Sequence, residues 1–462
     1  MAIDLRQEAG RVIAALESWR DTFGAFTPAP ENGVDADTWS QTLDTFIDRL
    51  TGEQYPFFHP RYAGQMLKPP HPVAVVGYLA TMLINPNNHA LDGGPATAAM
   101  EKESVARLAS MFGFDSGSGH LGHLTSSGTI ANLEALWVGR EERPGAVIAV
   151  SRDAHYTHKR MGQVLGVEVV EVDVDNVGRM DLDHLGDVLS AHDVGTVVAT
   201  LGTTGLGAID PLADILPLAR AAGSRVHVDA AYGGFFALVA DDSDSGVASR
   251  HFDAIAQADS VVVDPHKHGL QPYGCGAVLF ADPAVGAHYR HDSPYTYFSS
   301  DELHLGEISL ECSRAGASAA AFWLTTEVFP LTSDGLGRVL RPGLRAARRM
   351  HELLGQSQVW QSVQEPELDI VGYLTRDRSA SGIDRDCVAL FHALAELPRE
   401  EQWHLATYSM SIEDLTRRGI ALDADQDRVR ILRSVFMKPE HEFVIENLVE
   451  VLEATHQRTL RA

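Results

Sequence analysis

From about residue 120 onward, short β-branched runs alternate with stretches of helical spacing, and this alternation limits the folds open to the chain. The runs are Ala146–Val150, Val167–Val174, Thr196–Thr200, Arg225–Val228 and Ser260–Val263; helical spacing fills Thr129–Arg140, Leu182–Ser190 and Leu212–Ala222. Strands that alternate with helices predict an α/β fold with a mostly parallel sheet covered on both faces. A long helix is expected near Ala315–Thr326. After the turn-rich Leu331–Gly337, the last 125 or so residues carry helical spacing at Arg338–Leu354, Asp386–Glu396 and Glu440–His456, with strand candidates at Leu368–Thr375 and Arg428–Ser434. They read as a smaller α/β domain. In front lie two helical segments, 4–24 and 36–51, separated by the Pro- and Gly-containing Thr27–Gly33, and a proline- and aromatic-rich arm from Tyr55 to Pro72. The expected organisation is a helical segment and arm over 1–60, a large sheet domain over 61–330 and a small domain over 331–462.

Charge narrows the function classes. The 462 residues hold 63 acidic against 37 basic side chains, a net charge of −26, which disfavours nucleic acid and anionic membranes because both need clustered positive charge. The apolar stretch Val73–Ile84 is about a dozen residues, short of the roughly 20 needed to span a bilayer. The first residues lack the basic and apolar regions of a signal peptide. Three scattered cysteines make neither a disulfide framework nor a metal motif. A reducing, cytoplasmic setting without metal is expected.

Several segments place reactive residues where strands end, the edge at which open α/β sheets collect ligands. SVVVDPHKHGL (260–270) is an apolar run that stops at Asp264, Pro265, His266 and Lys267. A lone lysine there is ordinarily a solvated loop residue, but a desolvated one is a nucleophile able to form imines. RVHVDAAYGG (225–234) ends a strand in Asp229, suited either to capping the next turn or to pairing with a protonated ring nitrogen; Ala231 leaves room for a flat ring. LTSSGTIAN (124–132) precedes a helix, where free N–H groups and the dipole favour phosphate. It is not a Walker loop. His155, after Ala146–Val150, could stack on an aromatic ring, and LGTTG (201–205) adds Thr203 and Thr204 at another strand end. Each segment alone is weak. Their convergence is not.

Together, HVDAAYGG, DPHK some 35 residues later and ATLGTTGLGAID before both resemble the pyridoxal-phosphate (PLP)-dependent group II amino-acid decarboxylases, the aromatic-amino-acid, tyrosine and glutamate decarboxylases. YPFFHPRYAGQM, NPNNHALDGGPATAAMEKE and ECSRAGA extend the likeness over roughly residues 55–320. The resemblance implies a fold-type I, aspartate-aminotransferase-like architecture and decarboxylation of an L-amino acid to its amine. It further implies that Lys267 holds PLP as a Schiff base, with His266 helping to bind phosphate. Asp229 would hold the ring nitrogen, Ala231 would touch one ring face and His155 would stack on the other. Ser127, Gly128 and Thr129 would bind phosphate, and Thr204, with Thr203, would line the ring and the substrate carboxylate. It also implies a homodimer with shared sites and an intertwined N-terminal segment.

Family members commonly draw the Cα proton donor, a tyrosine, from a loop that here is HDSPYTYFSSDELH (291–304). Tyr297 is the expected donor, with Tyr295 and His304 as alternatives; the spacing to Arg314 departs from the family pattern. Loss of the donor in relatives diverts the reaction toward an aldehyde, so an aldehyde synthase stays open, as do a carbon–carbon lyase, an aminotransferase and an inactive PLP-binding protein. Phe57, Phe58 and Tyr62 could pack an aromatic substrate, Arg61, Lys68 and His71 could pair with an acidic one, and His59, His89 and Asp92 suit a polar one. DPHKHGLQPYG is closer to tyrosine-type members, which favours the aromatic class.

Overall fold

The computed structural model describes residues 3–114, 119–242, 245–290, 309–377 and 379–459. Its large sheet has seven strands: β1 (Leu121–Thr125), β2 (Val147–Ser151), β3 (Val169–Val172), β4 (Val194–Thr200), β5 (Arg225–Asp229), β6 (Ser260–Val263) and β7 (Gly276–Phe280). Their order is β1-β7-β6-β5-β4-β2-β3. Strands β2 to β6 pair in parallel, whereas β7 runs antiparallel to both β6 and β1. β1, β2, β4, β5 and β6 therefore point the same way and end at one edge.

The strand sequences account for this sheet. Every residue of β4 and β6 is buried, as a near-continuous β-branched run on a sheet covered on both faces requires. Each fully buried valine contributes on the order of 1.5–3 kcal/mol of apolar transfer energy. Two strands were not legible as separate elements: β1, hidden in the run that leads into the following helix, and the antiparallel β7. The run at Val167–Val174 is strand only over Val169–Val172, with Val174 making an isolated bridge to Met180.

Among the described residues, eight helices lead through the first half of the chain. These are α1 (Leu5–Asp21), α2 (Ala36–Glu53), α3 (Pro72–Met82), α4 (Pro95–Phe112), α5 (Gly128–Glu142), α6 (Thr157–Leu165), α7 (Leu182–Ala191) and α8 (Leu212–Ala221). No residue of α1 or α2 is buried, although Trp19, Trp39, Phe46 and Ile47 lie on them. α1 packs against α3 with Val12 and Leu16 half-buried, but the apolar stripes of both helices stay largely exposed among the described residues. α3 begins on Pro72, where the missing N–H is harmless, and it accounts for most of the apolar stretch Val73–Ile84. Among the described residues no helix is long and apolar enough to cross a membrane.

The small domain holds a four-stranded antiparallel sheet of β8 (Trp360–Ser362), β9 (Ile370–Thr375), β10 (Ala406–Ser411) and β11 (Arg428–Val435), in the order β10-β11-β9-β8. Helices Gly337–Gln356, Ala380–Ala395 and Ile445–Thr459 cover it; a separate 3₁₀ turn, Pro439–Phe443, takes the first part of the stretch read as helix from Glu440. The arm is bonded to this domain. Ala63 N–H donates to His404 O, Val435 N–H donates to Ala63 O, and the Lys438 ammonium donates to Tyr62 O at 2.7 Å. Lys68 Nζ, also buried, donates to Met437 O at 3.2 Å.

One contact behind the sheet edge is too close for any side chain. A Cβ at Gly233 would lie 2.0 Å from the Leu201 carbonyl oxygen, between the turns that follow β4 and β5. Gly233→Ala is expected to destabilise the protein by about 3 kcal/mol or more, the upper end for overpacking. A urea melt checks this, and an unchanged midpoint contradicts the packing described.

Candidate active site

At the shared edge of the strands lies a cavity of about 200 Å³, lined from the ends of β1, β2, β4, β5 and β6. The turn after β1 contributes Ser127, Gly128 and Thr129; the loops after β2 and β4 contribute His155 and Thr204. β5 and the turn after it contribute Asp229 and Ala231, and the turn after β6 contributes His266 and Lys267. The structure thus brings together nine of the sequence candidates around one space. Thr203 is a correction. It does not line the cavity: it is buried, and its hydroxyl accepts the Ala208 N–H at 3.0 Å. Tyr297, Tyr295 and His304 lie outside the described residues.

Lys267 follows β6 because Pro265 ends the strand and the turn closes with Lys267 N–H donating to Asp264 O at 2.9 Å. Its ammonium lies 3.0 Å from Asp264 Oδ2. His266 donates from Nδ1 to Cys275 O at 2.8 Å, which leaves Nε2 for other partners, and burial lowers its pKa. His155 accepts the Thr157 N–H on Nδ1 at 3.2 Å, fixing the remaining proton on Nε2; burial lowers its pKa too. Tyr156 covers it with ring centroids 4.3 Å apart. Both imidazoles are therefore neutral, flat surfaces at ordinary pH.

Asp229 is only 5% exposed. Burial alone would raise its pKa, but His158, through its hydrogen bond and its charge, and then the nearby Lys267 charge overcome this and hold the carboxyl well below the usual range. His158 Nε2 is 2.8 Å from Asp229 Oδ2, and the Ala231 N–H donates to Oδ1 at 3.2 Å. Two residues before Asp229, on the same face of β5, His227 meets Asn132 Oδ1 through Nε2 at 2.9 Å, and Asn132 Nδ2 donates to Gly128 O at 2.9 Å. β5 is thereby tied to the first turn of α5.

That turn is shaped to admit an anion. Ser127 caps α5 through Ile130 N–H, and the helix starts at Gly128 with its first N–H groups facing the cavity. A Cβ at Gly128 would sit 2.6 Å from Asp264 Oδ2, and one at Gly276, where β7 starts, would sit 2.6 Å from Thr125 Oγ1. The two glycines let three strand ends close on one another. From the small domain, Arg433 donates to Thr204 O at 2.7 Å and Gly205 O at 2.8 Å, clamping the loop that carries Thr204.

Sequence reasoning missed Asp264 and His158 as individual residues. Asp264 stood in the quoted SVVVDPHKHGL, three positions before Lys267, and His158 lies three after His155, a spacing that returns to the same side of a turn. Neither was assigned, because a strand-end motif shows which residues gather but not which of them pair.

An amine paired with a carboxylate, a buried anionic acceptor, two neutral imidazoles and a helix N-terminus are the groups a phosphorylated pyridine aldehyde requires. Residues 35–375 match the pyridoxal-dependent decarboxylase conserved domain. The chain belongs to this family. It is 28% identical over 425 residues to the L-tyrosine decarboxylase of Enterococcus faecium, covering 71% of this chain and 69% of that one. It is also 28% identical over 385 residues to the L-2,4-diaminobutyrate decarboxylase of Acinetobacter baumannii, covering 74% and 72%. In fold it is similar to Oryza sativa TDC crystallised with PLP and tryptamine, with a TM-score of 0.77, 16% identity and coverage of 99% and 98%. The protein is accordingly a PLP-dependent amino-acid decarboxylase, and the large-sheet architecture is that of PLP decarboxylases.

The close approach of Gly128 to Asp264 carries a consequence. Gly128→Ala is expected to weaken PLP binding by about tenfold or more, equivalent to roughly 1.4 kcal/mol. Cofactor titration of the apo-protein checks this, and unchanged affinity would show that the turn does not form the cradle.

Proposed function

We propose that this decarboxylase acts on an aromatic L-amino acid and that Lys267 is the amine that carries its cofactor. The observation behind the second part is the single cavity in which Lys267, Asp229, His155 and the first turn of α5 converge. Pyridoxal phosphate, when bound, supplies an electron sink for the pair released as the Cα–carboxylate bond breaks. The side chains divide the remaining work. Asp264 holds the Lys267 ammonium in place at the cavity. Asp229, kept ionised, would hold a proton on the ring nitrogen. His155 would stack on one ring face and Ala231 would leave the other face open to close approach. Ser127, Gly128 and Thr129 would hold the phosphate, with His266 alongside, and Thr204 would orient the substrate carboxylate. Tyr297 is retained as the Cα proton donor on sequence grounds.

Support for the aromatic class comes from the arm. A second cavity, of about 1320 Å³, is lined by Tyr55, Phe57, Phe58 and Tyr273 among others. Tyr273 is in ring contact with His266 at 4.7 Å and donates to Met66 O, so it joins the arm to the cofactor site. Arg61 and Lys68, candidates for pairing with an acidic side chain, line the same cavity, but Lys68 is 9% exposed and gives one of its N–H groups to Met437 O. The similarity to a tyrosine decarboxylase points the same way, whereas the diaminobutyrate relative does not. The unburied apolar stripes of α1 and α2 support a homodimer in which these helices pack on the partner; light scattering should give twice the chain mass.

The deciding assay supplies PLP and each of the twenty L-amino acids, and follows CO₂ and amine. Release from tyrosine, tryptophan, phenylalanine or their relatives supports the proposal. Release from aspartate or glutamate alone replaces it with the acidic class, and an aldehyde product replaces it with a synthase. In the same assay Asp229→Ala should lower kcat by at least about 10²-fold, as expected when a preorganised electrostatic partner is lost. An unchanged kcat would rule out Asp229 as the partner of the ring nitrogen.

A further inference from the structure

Among the described residues, His158 is a buried side chain whose one hydrogen bond is to Asp229. It sits in the first turn of α6, fully buried, with Nε2 2.8 Å from Asp229 Oδ2. Its other nitrogen, Nδ1, is buried and has no hydrogen-bond partner among the described residues. The neighbouring ring of His227 is 6.5 Å away between centroids, and both of its nitrogens are occupied by Ser260 and Asn132.

These facts fix the sense of the interaction. An ionised carboxylate can only accept, so the proton between the two lies on Nε2 and is donated to Asp229. Nδ1, with no partner, adds no second tether, so the ring is held in this buried place by packing and by that one bond. His158 therefore orients the carboxylate. With Oδ2 held by His158 and Oδ1 by the Ala231 N–H, the carboxylate plane is set by two donors, and its unused lone pairs remain for the cavity it lines.

We propose that His158 is a positioning residue that acts through Asp229, aiming its carboxylate at the ring nitrogen of the bound cofactor. This rests on reading Asp229 as the ring-nitrogen partner. His155 and His158, three residues apart, then have complementary roles, the first meeting the ring face and the second steadying the group that meets its edge. A neutral donor of similar reach should replace His158, whereas a ring of similar size without a donor should not.

The test uses the full chain, freed of cofactor, as wild type and four variants: His158→Gln, His158→Phe, Asp229→Ala and the double variant His158→Phe/Asp229→Ala. Each is titrated with PLP and with an analogue carrying CH in place of the ring nitrogen. His158→Phe should raise the dissociation constant for PLP by about tenfold, the scale expected when a buried charged acceptor loses one donor. His158→Gln should stay within about threefold of the wild type, since its amide nitrogen reaches the place of Nε2. In the Asp229→Ala background His158→Phe should add nothing, and with the analogue it should not differ from wild type.

Equal losses in His158→Gln and His158→Phe would overturn the donor role and leave only packing. So would an undiminished His158→Phe effect in the Asp229→Ala background. Should His158→Phe not fold, His158→Asn, whose amide is too short to reach Asp229, takes its place with the same expectation. If Asp229→Ala itself binds PLP and the analogue as the wild type does, the ring-nitrogen reading fails and this inference with it. A normal His158→Phe beside an impaired Asp229→Ala overturns the inference alone.

Discussion

A carboxylate kept ionised inside a protein must be surrounded by donors, and in this chain the Asp229 carboxylate at the end of β5 sets that demand. Removing such a charge from water without compensation would cost far more than the whole stability of a domain. The compensation is drawn from separate parts of the chain: His158 from α6, the Ala231 N–H from the turn after β5, and the Lys267 charge from the turn after β6. Satisfying one buried charge thus ties together the elements that enclose the cavity. On the proposed reading the same carboxylate would face the pyridinium, so the group that constrains the fold would also have the central electrostatic role.

The parallel strand directions supply the rest of the convergence. With β1, β2, β4, β5 and β6 aligned, their following loops meet at one edge without any further device. The antiparallel β7 complements them by starting at that edge with Gly276, where a side chain would collide with Thr125 and the Ser127 backbone. The small domain then closes the assembly from the side. Arg433 grips the carbonyls of Thr204 and Gly205, and the arm is bonded to β11 and to the segment after it. Residues that border the aromatic cavity are therefore positioned by the small domain as well as by the large one.

Much of this was legible in the sequence because the large sheet is built from uninterrupted β-branched runs that stop at reactive residues. SVVVDPHK and RVHVDAA each announce a buried strand and the group at its end. β7 was not legible, since GAVLF reads as one more apolar run and nothing in it states direction. Thr203 and Thr204 look equivalent as neighbours, and only the turn geometry shows that one hydroxyl is spent on Ala208. His158 was hidden for a related reason: its value lies in a partner 71 residues away, and local spacing carries no information about such a pairing. The attachment of the arm to the small domain is likewise a long-range fact, made by Lys438 and by backbone pairing with His404.

The claim on which the account turns is that Lys267 is the residue that carries the cofactor. The most direct measurement is to reduce the PLP-loaded protein with borohydride, digest it and locate the pyridoxyl group by mass spectrometry. The account predicts one modified peptide, containing DPHKHGLQPYG with the label on Lys267. A label on Lys68, Lys438 or any other lysine, or bound PLP that leaves no covalent mark, would contradict it.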